Sequence, residues 1–453
     1  MDETGGFVDG LRIILAERGF RKLFAVRLVS QTGDGVFNAG FAAYAFFSAT
    51  TFPNPTAAVY AFAVLYLPYS LIGPFAGVFI DRWSRRQVLV WSALIRACVV
   101  ALTGMVVLAG QTGLPLYISA LAVLGVNRFF LSAISAGVPH VVSEDNLVIA
   151  NAVAPTAGTI VGFVGGLVGL GVHFITGGGH GGSSVTLLTG GACYLIAGLL
   201  AMRMSRGLLG PDTPELETSG VRERSVTTDL ADVVRGLVAG LRHLGQRRKA
   251  AYAMGAVGAH RTLYGTLLVI GLLLYRNYFY PSGNGNKALG HATLLVITSA
   301  VGFGAAAIIT PGVVRRFGKQ TTIFLGLLMA AATMLVLGTP FNQIGFLVLG
   351  ALLGLSAQGV KICTDTTVQE EVDDAYLGRV FSLYDMLYNV SYVAGPAIAA
   401  PFMPDTGKSY TLVIVIAIAY LAAGLAYRVL ASRTNPADID QSSPRQPTVA
   451  APD

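Results

Sequence analysis

Apolar runs of around twenty residues recur along almost the whole chain, and a water-soluble fold has nowhere to put so many of them. A helix needs roughly 20 apolar residues to cross about 30 Å of hydrocarbon, so runs such as "VWSALIRACVVALTGMVVLAG" are expected to span a membrane. Charge scarcity decides the matter. Only 12% of the 453 residues are charged, whereas an ordinary soluble domain carries about 25%. Barrel strands would alternate in polarity over about ten residues, and these runs stay apolar for twice that length. An all-α polytopic membrane protein is therefore expected.

Counting the runs gives twelve transmembrane helices, near 25–48, 56–79, 88–109, 115–138, 148–173, 185–204, 250–274, 288–310, 321–338, 343–364, 381–402 and 409–430. With the N-terminus in the cytoplasm, Arg82, Arg85, Arg86, Arg203, Arg206, Arg315, Arg316, Lys319, Arg428 and Arg433 all fall inside. Only Arg276, Lys287 and Lys408 fall outside, and this asymmetry is the positive-inside pattern. It implies a multi-pass protein of the cytoplasmic (inner) membrane with both termini cytoplasmic. The expected domains are 1–206, a six-helix bundle with a cytoplasmic lead-in, and 250–431, a second six-helix bundle. Between them, 207–249 forms a cytoplasmic linker whose Leu230, Val233, Val234, Leu237 and Leu241 recur at helical spacing, as on a surface helix. The polar tail 432–453 is expected to be disordered. No secretory cleavage pattern follows the N-terminal "MDETGGFVDGLRIILAERGF".

The net charge of +7 collects at the ends of apolar runs and forms no aromatic-laced basic face, so nucleic acid is not an expected partner. Cys98, Cys193 and Cys363 lie apart inside apolar runs and give neither a disulfide nor a metal framework. The six histidines are scattered, and "VGFVGG" sits within a span with no Gly-Lys-Ser/Thr ending, which argues against an enzyme, a metal site or a bound nucleotide cofactor.

An offset of 234 residues carries Arg27 onto Arg261 and Asp81-Arg82 onto Arg315-Arg316, and brings Arg128 beside Lys361. Such matches imply a parallel repeat of six spans with a pathway between the halves. The stretch "GVFIDRWSRR", Gly77 to Arg86, resembles the signature between the second and third spans of the major facilitator superfamily, with Ser84 where glycine is usual. The resemblance implies a cytoplasmic gate containing Gly77, Asp81, Arg82, Arg85 and Arg86, joined by Arg379 of the family-like "GR" pair in "AYLGRVF"; the same arginines can also fix topology or meet anionic headgroups. "RLVSQTGDG" is similar to the first span of the macrolide-efflux and siderophore-export group. Arg128 matches the arginine of the family's fourth-span signature. Gly158, Gly162, Gly165 and Gly166 resemble its glycine-rich antiporter signature without the usual proline, and Gly395-Pro396 keeps such a pair; close helix packing is the alternative role for these residues.

Ionised side chains inside a bilayer are costly and usually face a cavity or a partner. Asp34 is accordingly the candidate for proton coupling, the competing role being a fixed partner or helix cap. Arg128, Lys361 and Asp365 are candidates for a cavity or a charge pair, the last two being four residues apart and able to pair locally. Arg96 and Arg261 are further candidates to face a cavity or a partner, with snorkelling to an interface as the alternative. The repeat and the intramembrane charges fit a transporter, and the resemblance implies a secondary active one, with proton-coupled export of a small amphipathic or drug-like solute as the leading function. Protons, membrane lipids and the solute are the expected partners. A lipid- or lysolipid-handling transporter and a non-transport membrane scaffold are the alternatives.

Overall fold

The computed structural model describes residues 12–47, 54–71, 75, 83–111, 113–143, 146–205, 207–210, 226–281 and 285–433. The expected tail therefore lies almost entirely outside the described residues, as do residues 211–225 of the expected linker.

All regular structure among the described residues is helical. The long helices are α1 (Arg18–Phe47), α2 (Pro55–Leu71), α3 (Arg85–Leu108), α4 (Leu114–Gly137), α5 (Leu147–Ile175) and α6 (Gly179–Met202). They continue as α7 (Val226–Gln246), α8 (Arg248–Leu273), α9 (Gly285–Thr333), α10 (Gln343–Glu371), α11 (Asp374–Ala399) and α12 (Tyr410–Ser432). Wider π-helical turns extend α8 over Leu274–Phe279 and α9 over Met334–Gly338.

The expectation of twelve transmembrane helices in two six-helix bundles is not met. Eight helices among the described residues are long and apolar enough to cross a membrane. Five expected spans account for the difference of four, two of them by merging into one. The first falls in α1, where Arg27, Gln31, Asp34 and Asn38 dilute the apolar character. The second, 56–79, lies partly outside the described residues, and its described apolar part is Pro55–Pro68 of α2. Two more, 288–310 and 321–338, lie on one helical run, Gly285–Gly338, interrupted at Gly318. That glycine has φ 78° and ψ 161°, a conformation side chains exclude, so it breaks a run of 54 residues that would otherwise extend about 80 Å. The last is α11, which carries Tyr384, Asp385, Tyr388, Asn389, Ser391 and Tyr392 along its middle. Aromatic and glycine-rich sequence reads as apolar in composition, yet it is not apolar enough here.

The chain divides into two compact units. The first comprises Met1–Val238, Tyr264–Val296 and Ser382–Ser409; the second comprises Ala239–Leu263, Ile297–Phe381 and Tyr410–Asp453. Within the first, α1 packs chiefly against α5 and α6, while α3 packs against α4 and α6. Phe20, Leu23, Val26, Leu89, Ala93, Phe130 and Ile134 form part of its core. The buried face of α3 follows Leu89, Ala93, Arg96, Val100, Thr103 and Val107 at helical spacing, while Trp91, Ile95 and Leu102 are exposed as expected for side chains that meet lipid. An arginine thus sits on an inward apolar stripe.

A buried charge cluster as the candidate functional site

Asp34 is held by four helices. Its Oδ1 accepts from Arg96 Nη1 at 3.1 Å and from Tyr194 Oη at 2.8 Å. Its Oδ2 accepts from Asn127 Nδ2 at 3.2 Å. These groups come from α1, α3, α6 and α4 respectively. The Asp34 side chain is 17% exposed, and that of Arg96 is wholly buried.

Arg96 does not depend on the carboxylate alone. Its Nη1 also donates to Asn127 Oδ1 at 2.7 Å, its Nη2 to Ser30 Oγ at 2.8 Å, and its Nε to Ser92 O at 3.2 Å. The guanidinium carbon lies 4.5 Å from the ring centre of Phe130 and 4.3 Å from that of Tyr194, two cation–π contacts. Ser30 precedes Asp34 by one helical turn, and Ser92 precedes Arg96 by one, so each charge has a hydroxyl-bearing neighbour on its own helix face.

Glycine makes the close approach possible. A Cβ on Gly33 would lie 2.9 Å from the Tyr194 ring, so the bare backbone before Asp34 admits the α6 phenol. On the other side, a Cβ on Gly35 would overlap the carbonyl oxygen of Gly162 and stand 2.6 Å from Gly166 N. One on Gly165 would stand 2.9 Å from Thr32 Cα, and one on Gly158 would overlap the Gln31 side chain. The glycine row of α5 therefore lies backbone to backbone on α1, the contact that small residues permit between membrane helices.

The remaining sequence candidates are distributed as follows. Arg128 is half-buried on α4, but its neighbour Asn127 is the α4 residue that reaches Asp34. Lys361 Nζ bonds Asp365 Oδ2 at 2.6 Å on α10, while Asp365 Oδ1 is buried and accepts no hydrogen bond. Gly77, Asp81 and Arg82 lie outside the described residues. Arg86 donates through Nε to Met204 O at 2.8 Å and through Nη2 to Met202 O at 2.7 Å, so a cation meets the carbonyl end of α6. Arg85 bonds Leu209 O at 2.9 Å and contacts His140. Arg379 is exposed, with its guanidinium 5.5 Å from the Tyr376 ring centre. Gly395 and Pro396 are buried near the end of α11.

Arg96 takes the inward of its two expected places: it pairs with Asp34 and does not snorkel, and Arg261 is buried as well. It lies eleven residues beyond Arg85, or about 17 Å along the helix, near the middle of a roughly 30 Å hydrocarbon layer. Depth and the inward stripe together are the signal that finds it. Aromatic residues unrelated to these motifs also gather in this unit. Phe62 and Tyr66 of α2 lie 5.0 and 4.6 Å from the Tyr392 ring of α11, and Tyr264 of α8 stacks on the same ring at 6.0 Å. Among the described residues, no three His, Cys, Asp or Glu side chains converge as metal ligands would.

Ionised side chains buried within membrane helices are rare and mark functional sites in integral membrane proteins, the class this fold and cluster define. The family model described as the Major Facilitator Superfamily matches residues 23–396 and again 286–451, and the chain belongs to that superfamily. An uncharacterized MFS-type transporter of Mycobacterium tuberculosis is 35% identical over 429 residues, covering 95% of each chain. Macrolide efflux protein A of Streptococcus pyogenes is 23% identical over 367 residues, covering 78% of this chain and 84% of its own. The crystal structure of the nucleoside transporter NupG has the same fold, with a TM-score of 0.64 at 15% identity over 90% of this chain and 98% of that one. The protein is thus a multi-pass secondary active transporter working by alternating access, and its relatives are transporters rather than enzymes.

Proposed function

We propose that the protein couples proton movement to the export of a small amphipathic solute, with Asp34 as the proton-responsive group. One observation carries this reading: besides Asp34, Arg96 has Asn127, Ser30, a backbone carbonyl and two ring faces as partners. A carboxylate can therefore leave its cation without stranding that cation in an apolar interior, where an unpaired charge is costly. Partial exposure of Asp34 gives protons a route to it. A conformational change that alters this exposure biases the protonation equilibrium, and linkage makes protonation bias the conformation in return.

Export, rather than import, is supported by the similarity to a macrolide efflux protein. Both termini are assigned to the cytoplasm by the distribution of basic residues. The inner gate is assigned to Gly77, Asp81, Arg82, Arg85, Arg86 and Arg379, with Arg128 and the Lys361–Asp365 pair as further charges along the pathway. The test is solute-driven proton movement in proteoliposomes across a collection of amphipathic compounds. Asp34→Asn is expected to abolish coupling while counterflow exchange of the solute persists. Proton movement equal to that of the unmodified protein would remove Asp34 from the role.

A further inference from the structure

We infer that the second unit carries a binding site for one anionic phospholipid, separate from the transport machinery. A groove of about 300 Å³ runs along α9 and α10, lined by Val313, Phe317, Leu325, Met329, Leu355 and Val360 among others. Its volume is at the small end of the range for ligand sites, roughly 300–1,000 Å³, and suits a slender tail better than a bulky solute. Phe317 and Leu325 are 49% and 38% exposed, so the groove opens on the outer surface of helices whose outer surface meets hydrocarbon.

Two of the three hydroxyls that line the groove are already committed to backbone carbonyls. Thr322 Oγ1 donates to Gly318 O at 2.8 Å, and Ser356 Oγ donates to Gly326 O at 2.6 Å. The groove wall thus offers an acyl chain contact without asking it to desolvate these hydroxyls, whereas a polar solute finds little to bond.

The end of the groove at the Gly318 turn has the opposite character. Arg315 and Arg316 are exposed there, and the Arg316 guanidinium lies 5.3 Å from the centre of the Phe317 ring that lines the groove. Arg428 reaches the same turn, donating to Thr321 Oγ1 at 3.2 Å. Lys319 is engaged by Glu370, but none of the three arginines pairs with a carboxylate among the described residues. An apolar slot continuous with a cluster of uncompensated guanidinium groups is complementary to a molecule with a hydrocarbon tail and a phosphate-bearing anionic head. Lys and Arg near an anionic headgroup each strengthen binding appreciably, and two of them give roughly a tenfold preference or more over a zwitterionic lipid.

Native mass spectrometry of the full chain, released from detergent after mixing with phosphatidylglycerol or phosphatidylcholine, tests this directly. One retained phosphatidylglycerol is expected, preferred about tenfold. Replacing Arg315→Gln and Arg316→Gln together is expected to erase the preference, and Leu325→Trp to lower retention by filling the slot. All three positions are exposed, and unchanged melting midpoints establish that the variants fold. Equal retention of the two lipids by the unmodified protein overturns the proposal, as does undiminished preference in the double arginine variant. Undiminished retention in Leu325→Trp overturns the groove as its location.

Discussion

Replacing Arg96 with methionine, which is similarly long and uncharged, isolates what the cation does for the first unit. The substitution removes the 3.1 Å charge-assisted bond to Asp34 and the 2.7 Å bond to Asn127, leaving the carboxylate with Tyr194 and the Asn127 amide. Removing one partner from a buried pair costs about 3–5 kcal/mol, much of it the penalty of the charge left behind. Asp34→Asn leaves a better-supported residue, because Arg96 keeps three hydrogen bonds and two aromatic faces, the latter worth about 2 kcal/mol together or more when desolvated. The order expected is therefore Arg96→Met well below Asp34→Asn in stability. The double variant should recover part of the loss, with a coupling of about 1–3 kcal/mol. Reversible unfolding in mixed micelles measures all four proteins. Equal destabilisation by the two single substitutions, or strict additivity in the double, would refute the claim that the cation is held independently of the anion.

Gly35→Ala forces a methyl group into the α5 backbone and should cost at least about 1–3 kcal/mol, as overpacking does, whereas Gly171→Ala on α5 meets nothing within 4 Å and should be neutral; melting midpoints compare them. In the second unit, the Arg247 guanidinium bonds Asp373 at 2.5 Å and holds its carboxyl below the usual carboxylate range, against a small opposing effect of burial. A carboxyl lowered in the folded state stabilises above its ordinary value near 3.8 and loses that contribution as acid protonates it. The stability difference between the unmodified protein and Asp373→Asn should thus shrink in acid below about pH 5, as pH-dependent unfolding will measure. Cysteines replacing Tyr66 and Tyr392, whose ring centres are 4.6 Å apart, should be joined by a short cleavable bifunctional thiol reagent; if α2 parts from α11 during transport, the cross-link will stop flux and its cleavage will restore it.

Much of the architecture is legible because membrane helices advertise themselves by what they lack. The failures have a common cause. Counting apolar runs treats tyrosine and glycine as oily, so α11, with its polar middle, passed as a span. It also assumes that each run ends where a charge appears, whereas helical structure continues from Gly285 to Gly338 with one break at Gly318. The glycines of α5 stand out in sequence, but not the partner surface, since contact with Gln31, Thr32 and Gly35 depends on how α1 lies against them. Asp34 is conspicuous as an acid in an apolar setting. Its counter-ion was harder to identify, because Arg96, Arg128 and Arg261 compete on sequence and only depth and helical phase favour the first.

Tyr194 turns its hydroxyl to the anion and its ring to the cation. One side chain of α6 is therefore tethered to both poles of the same dipole by two different kinds of force, one directional and one dependent on the face it shows. Neutralising either pole slackens a single tether and leaves the other taut, which tilts the ring instead of releasing it. The phenol is thereby a natural place to read out the ionic state of α1, and its ultraviolet or fluorinated-tyrosine signal would distinguish loss of the acid from loss of the base.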